Sequence, residues 1–206
     1  MKTYIHIGVD KCGSSSLQSF LSLNGEFLNN ENRLIEYKCL TKNGILTSEK
    51  IKFLVNKKNK SYLSSMGLKD ILDYEENDFY SLFKKNEVNI SDESDQIYSC
   101  EGWYRGLKKI EFFNRISNGF ESSKHNKLIF IAFLRSPVLW INSAWWQWGV
   151  WQSYNKNSFD EWLQRVIKNV KWYDHFKNFD SFKKNHQLIL KPIREDILKD
   201  FSSLLK

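Results

Sequence analysis

The stretch Tyr4-Ile-His-Ile-Gly-Val-Asp-Lys-Cys-Gly-Ser-Ser-Ser-Leu17 decides the fold. Thr3–Gly8 is rich in β-branched and aromatic residues, which predicts a strand over 3–8. From Ser14 the period changes, with Leu17, Phe20 and Leu21 at helical spacing and Ser14 or Ser15 as the expected N-cap. Val9–Gly13 is then a tight loop that aims free backbone N–H groups, at the positive end of a helix dipole, toward an anion. Lys11 adds a full charge, Gly13 lets the backbone approach a phosphate, and the hydroxyls of Ser14, Ser15 and Ser16 add donors. A serine-capped helix beside an exposed lysine is the plainer reading of the same residues.

The loop lacks the order that a Mg²⁺–ATP site needs. There, Gly-Lys-Ser/Thr run in direct succession, so that Lys reaches the terminal phosphates and the hydroxyl holds the metal. Here Lys11 precedes Gly13, with Cys12 between them. The Asp expected after a second hydrophobic strand is replaced by Arg135.

A second stretch, Leu128-Ile-Phe-Ile-Ala-Phe-Leu134, is apolar throughout and of strand length, as in the buried centre of a parallel sheet. Ligands of such sheets bind at the carboxyl ends of strands, where Arg135 falls. Pro137 can open the next helix, and Ser143 lies about two turns from its start. Arg supplies a planar fork for a phosphate and Ser a compact donor. A surface salt bridge for Arg135 is the alternative.

The pair resembles the nucleotide motifs of sulfotransferases that use 3′-phosphoadenosine 5′-phosphosulfate (PAPS), in the soluble, bacterial, carbohydrate-acting branch. Ile7–Leu17 is similar to the 5′-phosphosulfate loop, with Cys12 as a spacer where the family often has Thr. Leu134-Arg-Ser-Pro137 through Ser143 is similar to the 3′-phosphate motif. The resemblance implies a three-layer, P-loop-NTPase-like α/β fold with a central parallel sheet and helices on both faces. It implies that Lys11, Cys12, Gly13, Ser14, Ser15, Ser16, Arg135 and Ser143 hold the nucleotide and that no metal is needed. Leu188–Asp200 is similar to the late strand and Glu-Asp-Leu helix start of the family, and Phe159–Phe182 to the helical segment before it.

Family members then continue into a basic, Gly-containing loop that closes over the nucleotide. The sequence ends at Lys206 without one, so a truncated chain or a non-catalytic nucleotide-binding module is the alternative to an enzyme. A small-molecule kinase is a third reading, disfavoured by the loop order.

Gln96–Cys100 predicts another strand, and Glu101 stands at its end. Transfer of a sulfuryl group to a hydroxyl needs a base near the acceptor oxygen. Some carbohydrate-acting relatives place a Glu there, so the resemblance implies Glu101 as base and Lys11 as the group that stabilises the departing phosphate. A capping carboxylate or a partner for Arg105 is the plainer reading of Glu101. His6 reads as packed inside the first strand. His125, His175 and His186 lack metal-ligand spacing.

With 206 residues, the chain is expected to form one domain. The net charge of +7 suits an anionic ligand, while the scattered lysines disfavour nucleic acid. No leader or membrane span is legible, and three unpatterned cysteines fit a reducing cytoplasm. Strands near 3–8, 96–100, 128–134 and 187–190 alternate with helices expected at 14–23, 47–56, 66–86, 107–118, 138–152, 158–169, 171–184 and 194–205. Residues 24–95 read as a variable helical insert. In Trp140–Trp151, helical spacing puts Trp140, Trp148 and Trp151 on one face. Packing explains such a cluster, and stacking on a saccharide acceptor is the functional alternative.

Overall fold

The computed structural model describes residues 2–60, 62, 67–84, 94–121, 127–151, 157–179, 186–194 and 196–205. Seven strands form one sheet: β1 (Thr3–Ile7), β2 (Glu26–Leu28), β3 (Leu34–Thr41), β4 (Gly44–Leu46), β5 (Asp95–Cys100), β6 (Leu128–Leu134) and β7 (Gln187–Pro192). Their order is β2-β3-β5-β1-β6-β7, with β4 paired to β3. β3, β5, β1, β6 and β7 run parallel, while β2 and β4 are antiparallel to β3. The chain fills one side of β1 with β3 and β5 before crossing to β6 and β7. The strand order therefore reverses at β1, which is where open α/β sheets form their ligand crevice.

Helices cover both faces. α1 (Ser14–Asn24), α2 (Ser48–Lys57) and α8 (Ile197–Ser202) pack Leu17, Leu21, Ile51, Val55 and Phe201 against Ile35, Ile97, Ile131 and Phe133. On the other face lie α3 (Glu76–Lys84), α4 (Ile110–Glu121), α5 (Pro137–Ala144), α6 (Phe159–Val166) and α7 (Trp172–Phe176). Their Phe79, Phe113, Phe120, Trp140 and Trp162 meet Ile5, Tyr98, Phe130 and Ala132. β6 shows the reason: alternate residues face opposite layers, and both layers are apolar. His6 lies in β1 with Nδ1 2.7 Å from Ser99 Oγ, and burial lowers its pKa to about 3, so it is neutral and structural.

Three expectations are corrected. First, residues 24–95 are not only helical, since β2, β3 and β4 come from them. β3 carries Glu36 and Lys38 inside the sheet, where they pair at 3.2 Å. Second, Gly13, with φ at 76°, is the N-cap of α1, and Ser14 and Ser15 sit in the first turn. Third, the helix expected over 138–152 changes winding. Trp145–Val150 form a π-helical turn, closed by Trp151 N–H donating to the Trp146 carbonyl at 3.2 Å. This wider turn takes Trp151 off the line of Trp140 and Trp148 and into solvent. Gly149 permits the turn, because a Cβ there would lie 1.9 Å from the Trp145 ring. The ends of the helices expected over 66–86, 138–152 and 171–184, together with His125 and Glu195, lie outside the described residues.

Gly8 follows β1, and its N–H donates to the Cys100 carbonyl at 3.1 Å. A Cβ at Gly8 would stand 2.5 Å from Glu101 Cα, a backbone atom that cannot turn aside. Gly8→Ala is therefore expected to cost about 1–3 kcal/mol in urea unfolding. An unchanged midpoint would mean that the two segments are free to separate.

Candidate functional site

The loop after β1 is wound tightly. Cys12 N–H donates to the Val9 carbonyl at 3.2 Å, and Lys11 takes a left-handed φ of 62°. For a residue with a Cβ this conformation costs about 1 kcal/mol, and such strain concentrates at working sites. Leu17 N–H closes the first turn of α1 on the Gly13 carbonyl at 3.2 Å. The N–H groups of Ser14, Ser15 and Ser16 precede that bond, so no helical carbonyl can receive them.

Gly13 has a packing role that the sequence does not show. Its missing Cβ would meet Ile197 Cδ1 of α8 at 2.7 Å, so the glycine admits a neighbouring helix, and its turn makes the cap. Cys12 turns its thiol into the core, where burial pushes its pKa up to about 11, opposed by the Arg135 backbone N–H and charge. With its own N–H spent on Val9, Cys12 has no group left to offer a ligand and acts as a spacer. Ser14 is buried, whereas Ser15 and Ser16 are exposed. Tyr62 donates to Ser15 Oγ at 3.2 Å.

Glu101 opens a 3-10 turn, Glu101–Gly106, directly after β5. Its pKa is raised, first by burial and then by the charge of Asp10; Lys69, Lys11 and a hydrogen bond from Ser14 act the other way. Lys11 is lowered, first by burial, and Arg135 adds to this while Glu101 and Asp10 oppose it. Lys11, Glu101 and Arg135 thus share one electrostatic neighbourhood at the carboxyl ends of β1, β5 and β6. Ser143 is half-buried on α5.

Tryptophans frame the loop. Trp140 Nε1–H donates to the Asp10 carbonyl at 2.8 Å, and Trp172 Nε1–H to the Arg135 carbonyl at 3.1 Å. The Lys11 ammonium lies 5.3 Å from the Trp148 ring centre, a cation–π distance.

Sequence reasoning missed three participants, Asp10, Tyr104 and Lys69. Asp10 stands inside the first motif, yet only the fold shows that it accepts from Tyr104, which with burial pushes that phenol up to about 12. Tyr104 is also the principal partner of Arg105, in place of the Glu101–Arg105 pairing that is the plainer alternative for Glu101. Lys69 reaches Glu101 because its stem crosses Gly102, where a Cβ would lie 2.5 Å from that of Lys69. Nothing in the sequence around Lys69 marks it. Trp148 is placed by the π-helical turn.

Among the described residues no group of three His, Cys, Asp or Glu side chains could hold a metal ion, and no helix is long and apolar enough to cross a membrane. No protein-family model, curated protein or solved structure matches the chain.

The carboxyl of Glu101 binds its proton more readily in the fold than in the unfolded chain. Its contribution to stability is therefore full below the ordinary Glu pKa of about 4.3 and is lost as pH rises through the raised value. Glu101→Gln should raise the thermal midpoint at neutral pH, and the gain should vanish in acid. A gain of equal size at every pH would place Glu101 in ordinary solvent.

Proposed function

We propose that the chain is a PAPS-dependent sulfotransferase that moves a sulfuryl group onto an acceptor hydroxyl. The convergence of Lys11, Arg135 and Glu101 where the strand order reverses is the observation that carries this reading. The parallel strands support it too: numbered along the chain, they lie in the order 2-3-1-4-5, which sets β1 and its loop between the strands that end at Glu101 and Arg135. The left-handed Lys11 and Gly13 and the unpaired N–H groups of Ser14–Ser16 form a cradle suited to a 5′-phosphate.

The co-substrate supplies an activated sulfuryl group joined to a phosphate oxygen. Glu101 accepts the proton of the acceptor hydroxyl as the new S–O bond forms. Its raised pKa brings it nearer the working pH, which strengthens it as a base. The electron pair of the breaking S–O bond stays on the 5′-phosphate. Lys11 and the N-terminus of α1 stabilise that charge without reorganising. Arg135, with Ser143 further along α5, holds the 3′-phosphate and so selects a 3′-phosphorylated nucleotide over ATP. Trp148, beside Lys11, offers an aromatic wall to an acceptor such as a sugar ring.

Calorimetric titration with adenosine 3′,5′-bisphosphate, and with AMP and Mg-ATP at the same salt, tests the nucleotide site. Preference for the bisphosphate without Mg²⁺ is expected. Arg135→Ala should weaken the bisphosphate about 10- to 100-fold and AMP little, because a charge-assisted pair to one phosphate is lost. Equal losses would remove Arg135 from the 3′-phosphate, and a preference for Mg-ATP would favour a kinase.

Glu101→Gln separates binding from chemistry. Bisphosphate affinity should stay within about threefold while turnover with PAPS falls about 100-fold or more, the scale of a missing base. Unchanged turnover would assign the proton to another group.

A further inference from the structure

From Pro137 to Val150 the chain carries no charged residue, although this rod of helix lies at the surface. Trp140, Ala144 and Gly149 face inward. The outer side presents Val138 (76% exposed), Leu139 (57%), Trp146 (52%) and Val150 (44%), with Trp151 (74%) at its end. Val138, Asn142, Trp146 and Val150 follow in steps of four, a spacing that the π-helical turn keeps on one line. Exposed helix faces of globular proteins ordinarily carry charge, so an uncharged, mostly apolar stripe about 20 Å long, broken only by Asn142 and Gln147, signals a contact surface.

The flanks show what that surface meets. Exposed Phe159 and Ile167 extend the apolar area from α6 and from the turn that packs against α5. Around them Arg165, Lys168 and Lys171 are exposed. Between Glu121 and Asp160 the sequence contains no acidic residue. Asp160 and Glu161 open α6, and Glu161 is engaged in a capping box with Ser158.

Three occupants compete for such a face. A nucleotide is too short to cover it. A second copy, docked about a two-fold axis, would cover the apolar stripe and make assembly depend on protein concentration. An anionic bilayer suits the stripe and its basic flank: Val and Leu enter the acyl boundary, Trp settles at the headgroup level, and Arg165, Lys168 and Lys171 meet the phosphates, with Asp160 and Glu161 confined to the first turn of α6. We infer that the outer face of α5 lays this protein on an anionic lipid surface. The inference does not depend on the sulfotransferase reading. Because α5 begins just beyond Arg135 and the same helical rod carries Trp148 over Lys11, docking sets the loop close to the headgroups.

Vesicle co-sedimentation tests this, with phosphatidylcholine alone and with a phosphatidylcholine–phosphatidylglycerol mixture. Binding is expected only to the mixture, with a blue shift of tryptophan emission. The double variant Trp146→Ser, Trp151→Ser should bind at least about tenfold more weakly, with its thermal midpoint unchanged. Lys168→Gln with Lys171→Gln should also weaken binding and flatten its salt dependence. Absent binding, equal binding to both vesicles, or full binding by the tryptophan variant would overturn the proposal. A concentration-dependent dimer abolished by the same tryptophan changes would replace it with self-association.

Discussion

The architecture depends on the burial of β1 between two parallel neighbours. All five of its residues are buried, and both its edges are spent on β5 and β6. A strand held in this way has one exit, at its carboxyl end and between the ends of its neighbours. The loop that leaves there is pressed onto Glu101 by Gly8 and faces Arg135 from the other side. The meeting of three charged side chains, more than 30 residues apart along the chain from one to the next, is thus a property of strand order.

That meeting is held against resistance. Lys11 keeps a left-handed backbone, and burial works against the charges of both Lys11 and Glu101. Asp10, Lys69 and Ser14 distribute the field between them, with Asp10 opposing the Glu101 charge and the other two supporting it. Strained backbone and half-buried charge cost stability, and other contacts of the fold must offset that cost.

The parallel strands at 3–7, 95–100, 128–134 and 187–192 are legible because their apolar runs have strand length and end at turn residues. β3 is not legible, since Glu36 and Lys38 interrupt the run and only their pairing along one face of the strand makes a buried lysine tolerable. The π-helical turn escapes for another reason: it depends on where the Trp145 ring lies over Gly149, which no period encodes. At the site, Lys11 and Arg135 are legible because their motifs end strands. Glu101 is legible by the same logic. Lys69 is a lone lysine until Gly102 brings it alongside.

The contact between Gly13 and Ile197 has a bearing on the order of assembly. The left-handed cap that shapes the loop rests on a helix made 184 residues later. β1 likewise acquires its second neighbour only once β6 has emerged. During synthesis, closing such long loops delays the contacts that reward them. The loop after β1 therefore takes its shape only once the later strands and α8 have joined, and a chain cut before Ile197 lacks the helix on which Gly13 rests.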